Sequence, residues 1–279
     1  MLGYKIVGDS CTDFTDEHKK NKHFCEVPLT LSLGEYAVTD DDNFDPVDFI
    51  ERMKKSEECP KSSCPSPADY MHEFDCDDDV YAVTLSDKLS GSYNSAVQAK
   101  GILSEEKSKK NIHIFSSFSA SVGQLLIALK IEELAGLGQS FQSVVEGVND
   151  FIQKQKIFFV LENLDVLRKN GRLNPLQSVI TNVLNVKLVM TATDDGHILK
   201  FGQALTLSRA ISKLIETVEK HASNCSDKIL AITHCNCLER ATFIKDEILK
   251  RCKFKDSLIV ESGGISTMYA NDGGIIISF

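Results

Sequence analysis

Three apolar segments in the first half of this chain each end in a short run of small polar residues. The segments and the runs that follow them are residues 5–8 with 9–10, residues 80–83 with 84–86, and residues 112–115 with 116–117. Each segment has the apolar character of a buried strand. In an open parallel sheet the ligand binds beyond the carboxyl ends of the strands. Hydroxyl groups at that edge therefore predict a site for a polar group, and they favour a binding protein over a catalyst.

Strand and helix patterns alternate along most of the chain, which predicts βαβ units and an α/β fold. The predicted helices cover residues 45–56, 66–74, 91–106, 119–136, 139–155, 174–184, 205–223 and 236–251. A turn at residues 194–197 joins two apolar segments as a hairpin, so antiparallel pairing begins there. We therefore predict two α/β lobes, residues 1–152 with a mainly parallel sheet flanked by helices, and residues 153–279 with a mixed sheet and helices.

Charge and hydropathy argue against nucleic acids and membranes as partners. The formal net charge is -9, and the basic residues are scattered among acidic ones. A nucleic-acid surface needs clustered positive charge. No apolar stretch approaches the roughly 20 residues that span a bilayer. The chain begins directly with a strand pattern instead of a secretory leader, so the sequence predicts a cytoplasmic protein with no integral membrane segment.

Cysteine usage predicts reduced thiols. The nine cysteines are an odd number spread over a long chain, and several lie in apolar segments where a thiol behaves as a small core side chain. Cys235 and Cys237 form the one close pair, but no second ligand pair follows at zinc-type spacing. The sequence therefore predicts neither a disulfide framework nor a structural metal.

Familiar cofactor and catalytic motifs are absent. Gly136 and Gly138 follow a predicted helix and lack the third glycine of a dinucleotide-binding loop. Residues 40–51 have the length of a calcium loop, but Asp45 stands where the sharp turn needs glycine. No serine-hydrolase elbow or phosphate-binding lysine loop is present. We predict no cofactor and no independent catalytic activity.

Two serine segments precede predicted helices. Ser62 and Ser63 stand in an extended, proline-stiffened loop before the helix at 66–74, and Ser90 stands at the start of the helix at 91–106. The free N–H groups and the dipole at a helix start suit an anion. A carboxylate only accepts hydrogen bonds, so hydroxyl and amide donors can hold it without a neutralising charge. Serines at these positions are also common as helix caps and turn residues. The sequence alone therefore leaves open whether Ser62 and Ser90 bind an anion or only cap a helix and form a turn.

Seven segments match a known family in order and in spacing. They are residues 9–13, 27–29, 62–67, 85–96, 167–173, 184–187 and 273–274. On these segments nearly the whole chain resembles the DegV family. The resemblance implies a two-domain α/β fold with a tunnel near the junction of the lobes that binds one long-chain fatty acid, such as palmitate, stearate or oleate. In some members the protein is the lipid-carrying subunit of a bacterial fatty acid kinase, and a separate ATP-binding subunit phosphorylates the carboxylate.

The resemblance also implies which residues hold the head group. Ser62 stands where the family usually has threonine, and Ser90 matches a serine at a helix start. Both are implied as ligands of the carboxylate. Four further residues are implied as supporting the site, namely Ser10, Ser63, Gly91 and Ser92.

Three residues are candidates for contact with the phosphate or the partner. Arg172 matches a family arginine on a turn, where a surface position is the alternative. Tyr269 stands where the family usually has histidine, and it carries no positive charge at neutral pH. His234 matches a family histidine but suits a packed position equally well. For Asn185 and Lys187 a pocket-facing and a structural role both stay open.

Two other functions stay open beside fatty-acid binding. One is an acyl ester or thioester hydrolase with Ser90 as nucleophile and His234 as base, although no sequence feature brings a base beside Ser90. The other is a phosphate or sugar binder that uses the same hydroxyl groups. A sugar site needs polar walls, whereas a lipid site needs a long apolar tunnel, so the lining of the pocket separates these functions.

Overall fold

The computed structural model describes residues 3–106, 111–173, 186–222 and 224–279. The strands are β1 (Tyr4–Asp9), β2 (Phe24–Val27), β3 (Thr30–Leu33), β4 (Tyr36–Thr39), β5 (Lys61–Ser63), β6 (Asp79–Thr84), β7 (Ile112–Ser116), β8 (Ile157–Val160), β9 (Lys187–Ala192), β10 (Ile198–Ala204), β11 (Ile229–His234), β12 (Asp256–Glu261) and β13 (Ile275–Ser278). The helices are α1 (Asp16–Lys20), α2 (Pro46–Lys55), α3 (Pro67–Phe74), α4 (Ser92–Glu106), α5 (Val122–Gly136), α6 (Phe141–Lys154), α7 (Asp165–Lys169), α8 (Leu207–His221), α9 (Leu238–Leu249) and α10 (Gly264–Ala270). The helix predicted at 174–184 and Asn185 lie outside the described residues.

Four parallel strands form the N-terminal sheet in the order β2-β1-β6-β7. Alternate side chains of β6 face opposite sides, because successive residues of a strand point to opposite faces. Val80 and Ala82 lie in a cluster with residues of α3 and α4, whereas Tyr81 and Val83 lie in a cluster with residues of α5 and α6. The prediction of a parallel sheet flanked by helices is confirmed.

Six strands form the C-terminal sheet in the order β10-β9-β8-β13-β11-β12. Only β11 and β12 pair in parallel within it, so the predicted mixed sheet is confirmed. The predicted hairpin joins β9 and β10 through Gly196, whose φ of +89° suits glycine. Phe158 and Ile277 belong to the cluster formed with α8 and α9, while Phe159 and Ile276 face the opposite side. Strand β13, the last strand of the sequence, lies between β8 and β11.

A third, three-stranded antiparallel sheet was not predicted. Its order is β4-β3-β5, and Ser62 in β5 pairs with Leu31 in β3. The sequence analysis placed Ser62 and Ser63 in a loop, and the structure corrects this to a strand. A three-residue strand carries no recognisable period, and its partner lies about thirty residues earlier in the sequence. Pairing between segments so far apart is invisible to a local pattern.

Helix α5 lies between the two larger sheets and contacts strands of both, namely β1, β6, β11 and β13. All strands of the parallel sheet precede residue 153, and all strands of the mixed sheet follow it. The division into two domains, residues 1–152 and 153–279, stays a prediction. In the four ranges that the structure describes, no helix combines the length and the apolar character needed to cross a bilayer.

Candidate functional site

A mainly apolar cavity of about 300 Å³ extends between the mixed sheet and the N-terminal lobe. Ile157, Phe159 and Leu161 are lining residues spaced two apart, so they stand on one face of the strand β8 and its extension. Leu85 and Phe118 line the cavity from the N-terminal lobe. Ligand pockets have volumes of about 300–1,000 Å³ and bury most of an organic ligand. The cavity therefore has the character of a binding site for an apolar molecule.

Part of the polar lining of this cavity comes from residues that the sequence analysis singled out. These are Ser62, Ser63, Ser90, Arg172 and Tyr269, and Gly91 lines the cavity beside them. Ser63 and Gly91 are exposed, whereas Ser62, Ser90, Arg172 and Tyr269 are half-buried. These side chains therefore lie where the cavity reaches the surface, whereas the lining residues Ser119 and Ser266 are buried. An amphipathic ligand would bury its apolar part and keep its polar end at this opening.

Close packing brings the two serine segments together. A Cβ atom added to Gly91 would lie only 2.9 Å from the Sγ atom of Cys64. The missing side chain at Gly91 therefore allows the start of α4 to approach the segment that follows β5. The Ser90 Oγ atom accepts a hydrogen bond from the backbone N–H of Ser92 at 3.2 Å, and lies 3.0 Å from the Ser92 Oγ atom.

Ser62 and Tyr269 form a second polar pair at the opening. The Ser62 Oγ atom lies 3.3 Å from the Tyr269 hydroxyl, which is carried by α10. Burial raises the pKa of Tyr269, while the hydrogen bond with Ser62 and the charge of Arg172 act in the opposite direction. The phenol therefore stays protonated near neutral pH. The hydroxyl that does not donate to the other can donate a hydrogen bond to an anion beside the pair, and both can donate once their mutual bond opens.

Arg172 is held by a turn that follows α7. Gly171 has a φ of +72°, which suits the glycine that commonly ends a helix. Arg172 donates from Nε to the carbonyl oxygen of Leu89 at 3.1 Å, and from Nη1 to the carbonyl oxygen of Asn170. The Asn170 side chain also donates to the carbonyl oxygen of Pro60 at 2.9 Å. These bonds fix the guanidinium beside the Ser90 segment.

Other candidates lie outside the lining of this cavity. Ser10 accepts a hydrogen bond from the Leu29 N–H at 3.0 Å, and Ser92 is fully buried behind Ser90. Ser10 and Ser92 therefore stand behind the opening. His234 is buried at the end of β11 and accepts from the Cys237 N–H, and burial lowers its pKa, which favours the neutral ring.

Lys187 has a structural environment. Its ammonium group donates to the carboxylate and to the backbone carbonyl oxygen of Glu162, at 2.7 and 2.8 Å. Arg240 contacts the same carboxylate at 3.3 Å. Of the two roles left open for Lys187, the structure favours the structural one.

The sequence analysis missed the buried carboxylates Asp9 and Asp13 and the half-buried carboxylate Glu26. Burial raises the pKa of Asp9 to about 6, of Asp13 to about 7 and of Glu26 to about 8. Asp9 accepts from the Leu85 N–H at 2.7 Å and from the Gln124 side chain at 2.8 Å. Asp9 is the last residue of β1, and Asp13 lies four residues further along the chain. No local signal identified them as buried, because an acidic residue at the end of a strand is usually exposed.

Glutamine at position 26 is expected to reduce the pH dependence of stability. Burial raises the pKa of Glu26 from 4.5 to about 8, so the native state keeps a proton that the unfolded chain has lost. The contribution of Glu26 to stability is therefore full below about pH 4.5 and is lost as pH rises to about 8. Relative to the natural chain, Glu26→Gln should be nearly as stable at pH 4.5 and more stable by about 2–4 kcal/mol at pH 8.

Urea unfolding at both pH values measures this difference. Lys19 contacts Glu26 at 3.4 Å and also Asp42 at 2.6 Å, so the lysine retains a partner in the variant. An equal difference in the free energy of unfolding at pH 4.5 and pH 8 would contradict the raised pKa.

Several known proteins share this fold and much of this sequence. A family model described as an uncharacterised protein of the DegV family matches residues 4–279. A DegV domain-containing protein of Streptococcus pyogenes serotype M18 is 34% identical over 282 residues, which cover 100% of this chain and 99% of the relative.

Solved structures agree with the sequence comparison. A DegV family protein from Ruminococcus gnavus, described with vaccenic acid, has a TM-score of 0.94 and 44% identity, with 100% of both chains covered. The Fatty Acid Kinase (Fak) B3 protein of Streptococcus pneumoniae, loaded with linoleic acid, has a TM-score of 0.91 and 29% identity, with 100% of this chain and 99% of that chain covered. The resemblance found in the sequence is confirmed, and this chain belongs to the DegV family.

Proposed function

We propose that this protein binds one long-chain fatty acid, with the acyl tail in the cavity and the carboxylate at its opening. The observation that carries the proposal is an apolar cavity whose opening gathers Ser62, Ser90, Arg172 and Tyr269. The similar proteins of R. gnavus and S. pneumoniae are described with vaccenic and linoleic acid, which supports this ligand class. A sugar would lack polar partners along such a lining.

The tail supplies most of the affinity in this proposal. Burial of a methylene group contributes about 0.8 kcal/mol, so a long acyl chain contributes on the order of 10 kcal/mol before the costs of association. Ser62 and Ser90 donate hydrogen bonds to the carboxylate and so fix its orientation. Ser63 and Gly91 shape the opening, while Ser10 and Ser92 support it from behind.

We propose further that the bound carboxylate is presented to a separate ATP-binding subunit of a fatty acid kinase. A carboxylate oxygen would attack the γ-phosphorus of ATP, and the bond from that phosphorus to the leaving ADP oxygen would break, giving an acyl phosphate. Arg172 would stabilise the added phosphate, since a guanidinium matches phosphate geometry. Tyr269 is a second candidate contact. The phosphoryl chemistry belongs to the partner, and such a partner places this chain in the cytoplasm.

Native mass spectrometry of the purified protein, before and after organic extraction, tests the first proposal. We expect a species heavier by a few hundred daltons that releases a fatty acid and that re-forms when oleate or palmitate is added. An empty protein that takes up neither acid would contradict lipid binding. The kinase proposal is tested by adding ATP and the ATP-binding subunit from the same organism. Acyl phosphate should form only when this chain is present.

The hydrolase alternative has no support from the geometry at Ser90. The Ser90 hydroxyl is hydrogen-bonded to Ser92, and among the described residues that line the cavity there is no His234. A serine nucleophile needs a base within hydrogen-bonding distance. Turnover of a nitrophenyl acyl ester that disappears in Ser90→Ala would reinstate this alternative.

A further inference from the structure

Two hydroxyl groups connect the opening of the cavity to the buried carboxylate of Asp9. Ser90 lines the cavity and is half-buried, whereas Ser92 and Asp9 are fully buried behind it. The Oγ atoms of Ser90 and Ser92 lie 3.0 Å apart, and a hydrogen bond from the Ser92 hydroxyl acts to lower the pKa of Asp9. A change at Asp9 can therefore reach the cavity through this Asp9–Ser92–Ser90 relay.

The partners of Asp9 differ in what they can do with a proton. Besides Ser92, they are the Leu85 N–H at 2.7 Å, the Gln124 amide at 2.8 Å and the backbone of Cys11. These three groups are N–H donors, whereas a hydroxyl group both donates and accepts. Ser92 is therefore the partner whose bond with Asp9 can reverse by rotation of an O–H bond.

With Asp9 ionised, the Ser90 proton is engaged inside the protein. Burial raises the pKa of Asp9 to about 6, so the carboxylate is mainly ionised at pH 7. It then takes the single proton of Ser92, and the Ser92 Oγ atom can only accept from Ser90. In the empty protein the Ser90 hydroxyl is therefore turned toward Ser92 and away from the cavity.

Protonation of Asp9 reverses the relay. The new O–H group donates to Ser92, and Ser92 turns its own proton toward Ser90. The Ser90 Oγ atom already accepts from the Ser92 N–H at 3.2 Å, and its second lone pair accepts from the Ser92 hydroxyl. The Ser90 proton can then point into the cavity toward a carboxylate. The carboxylate also no longer faces a negative charge behind Ser90.

The titratable groups around the relay do not exchange protons near pH 7. Cys11 and Tyr70 are described groups that interact with the charge of Asp9, and burial raises the pKa of both. Both are therefore neutral at pH 7. Arg172, beside the Ser90 segment, stays positively charged. Among these groups, Asp9 is the one that titrates close to neutral pH.

We propose that Asp9 is a positioning residue for the fatty-acid head group, which acts through Ser92 to release the Ser90 hydroxyl, so that binding of the carboxylate takes up a proton at Asp9. The inference rests on the proposed function, since the carboxylate is that of the proposed fatty acid. The proton comes from the buffer and returns there when the fatty acid leaves. Affinity for the fatty acid should therefore fall as pH rises above 7.

Isothermal titration with oleate at pH 7, in buffers of different ionisation enthalpy, counts the protons taken up by the delipidated protein per bound fatty acid. We expect about half a proton for the natural chain, because the bond from Ser90 to the carboxylate favours the protonated form of Asp9. Asp9→Asn should take up less than about 0.1 proton. Ser92→Ala should take up less than half the natural value, since Asp9 keeps its charge but loses its connection to Ser90.

Two control variants should take up as many protons as the natural chain. Glu26→Gln removes a different carboxylate whose pKa is raised by burial, and Ser95→Ala removes another buried hydroxyl from α4. Ser92→Ala keeps the inference testable if Asp9→Asn does not fold.

Proton uptake by Ser92→Ala above half the natural value would overturn the positioning role, because the proton would then bind without the relay. Oleate binding by the natural chain without proton uptake would overturn it as well. A natural chain that binds no oleate would instead contradict the proposed function.

Discussion

Alanine at both Ser62 and Ser90 is expected to weaken the binding of oleate by at least about a hundredfold. A hydrogen bond to a charged group contributes about 1.5–3 kcal/mol, and the double variant removes two donors from the carboxylate. The tail keeps its contacts with the apolar lining, so binding should weaken without being abolished. Isothermal titration of delipidated protein with oleate measures the change.

A matched pair of exposed serines separates this effect from a general response to lost hydroxyl groups. Ser104 and Ser212 each donate to a backbone carbonyl oxygen within a helix, away from the cavity. The variant with alanine at both positions should bind oleate like the natural chain. The Ser62 and Ser90 variant should also unfold at a similar urea concentration, because both side chains are only half-buried. Unaltered affinity for oleate in that variant would remove both serines from the site.

Phenylalanine at position 192 is expected to lower the affinity for oleate about a thousandfold. Ala192 ends the strand β9 and lines the cavity, so a larger side chain there would occupy space that the tail needs. Exclusion of about five methylene groups forfeits about 4 kcal/mol of tail burial. The empty protein should be as stable as the natural chain or more stable, because the added ring fills a void.

The same substitution on another strand provides the control. Ala37 is an exposed residue of β4, and Ala37→Phe should leave oleate binding unchanged. Titration with oleate and thermal unfolding of the empty proteins measure both effects. A variant with phenylalanine at position 192 that is folded and binds oleate normally would show that the tail does not occupy this cavity.

The sequence predicted elements whose signals are local. The helix predicted at 91–106 is observed from Ser92 to Glu106, and the helix predicted at 66–74 from Pro67 to Phe74. Serine and proline at the start of α3 mark its boundary, because Ser66 caps the helix by accepting from the Asp69 N–H. The resemblance to the DegV family, and not a sequence pattern, indicated that one site includes Ser62, Ser90, Arg172 and Tyr269. These residues stand in four separate segments, and no hydrophobic period connects such segments.

Contacts between distant parts of the chain were not predictable in this way. Asp13 bonds to Ser121, Gly263 and Ser266, which lie 108, 250 and 253 residues further along the sequence. From sequence alone, a charged residue at the end of a strand is predicted to be exposed to solvent, because its buried partners are not known. The raised pKa values of Asp9 and Asp13 arise from burial, which is a property of the assembled structure.

The place of β13 determines when the binding site can exist during protein synthesis. Without this strand the mixed sheet falls into two separate parts, β10-β9-β8 and β11-β12, and the cavity lacks the side chain of Ile276. Residues 275–278 must therefore leave the ribosome before either part can join the other. A nascent chain that ends earlier exposes two unpaired strand edges and has no closed site for a lipid. Closure of the lipid site therefore depends on the synthesis and pairing of residues 275–278.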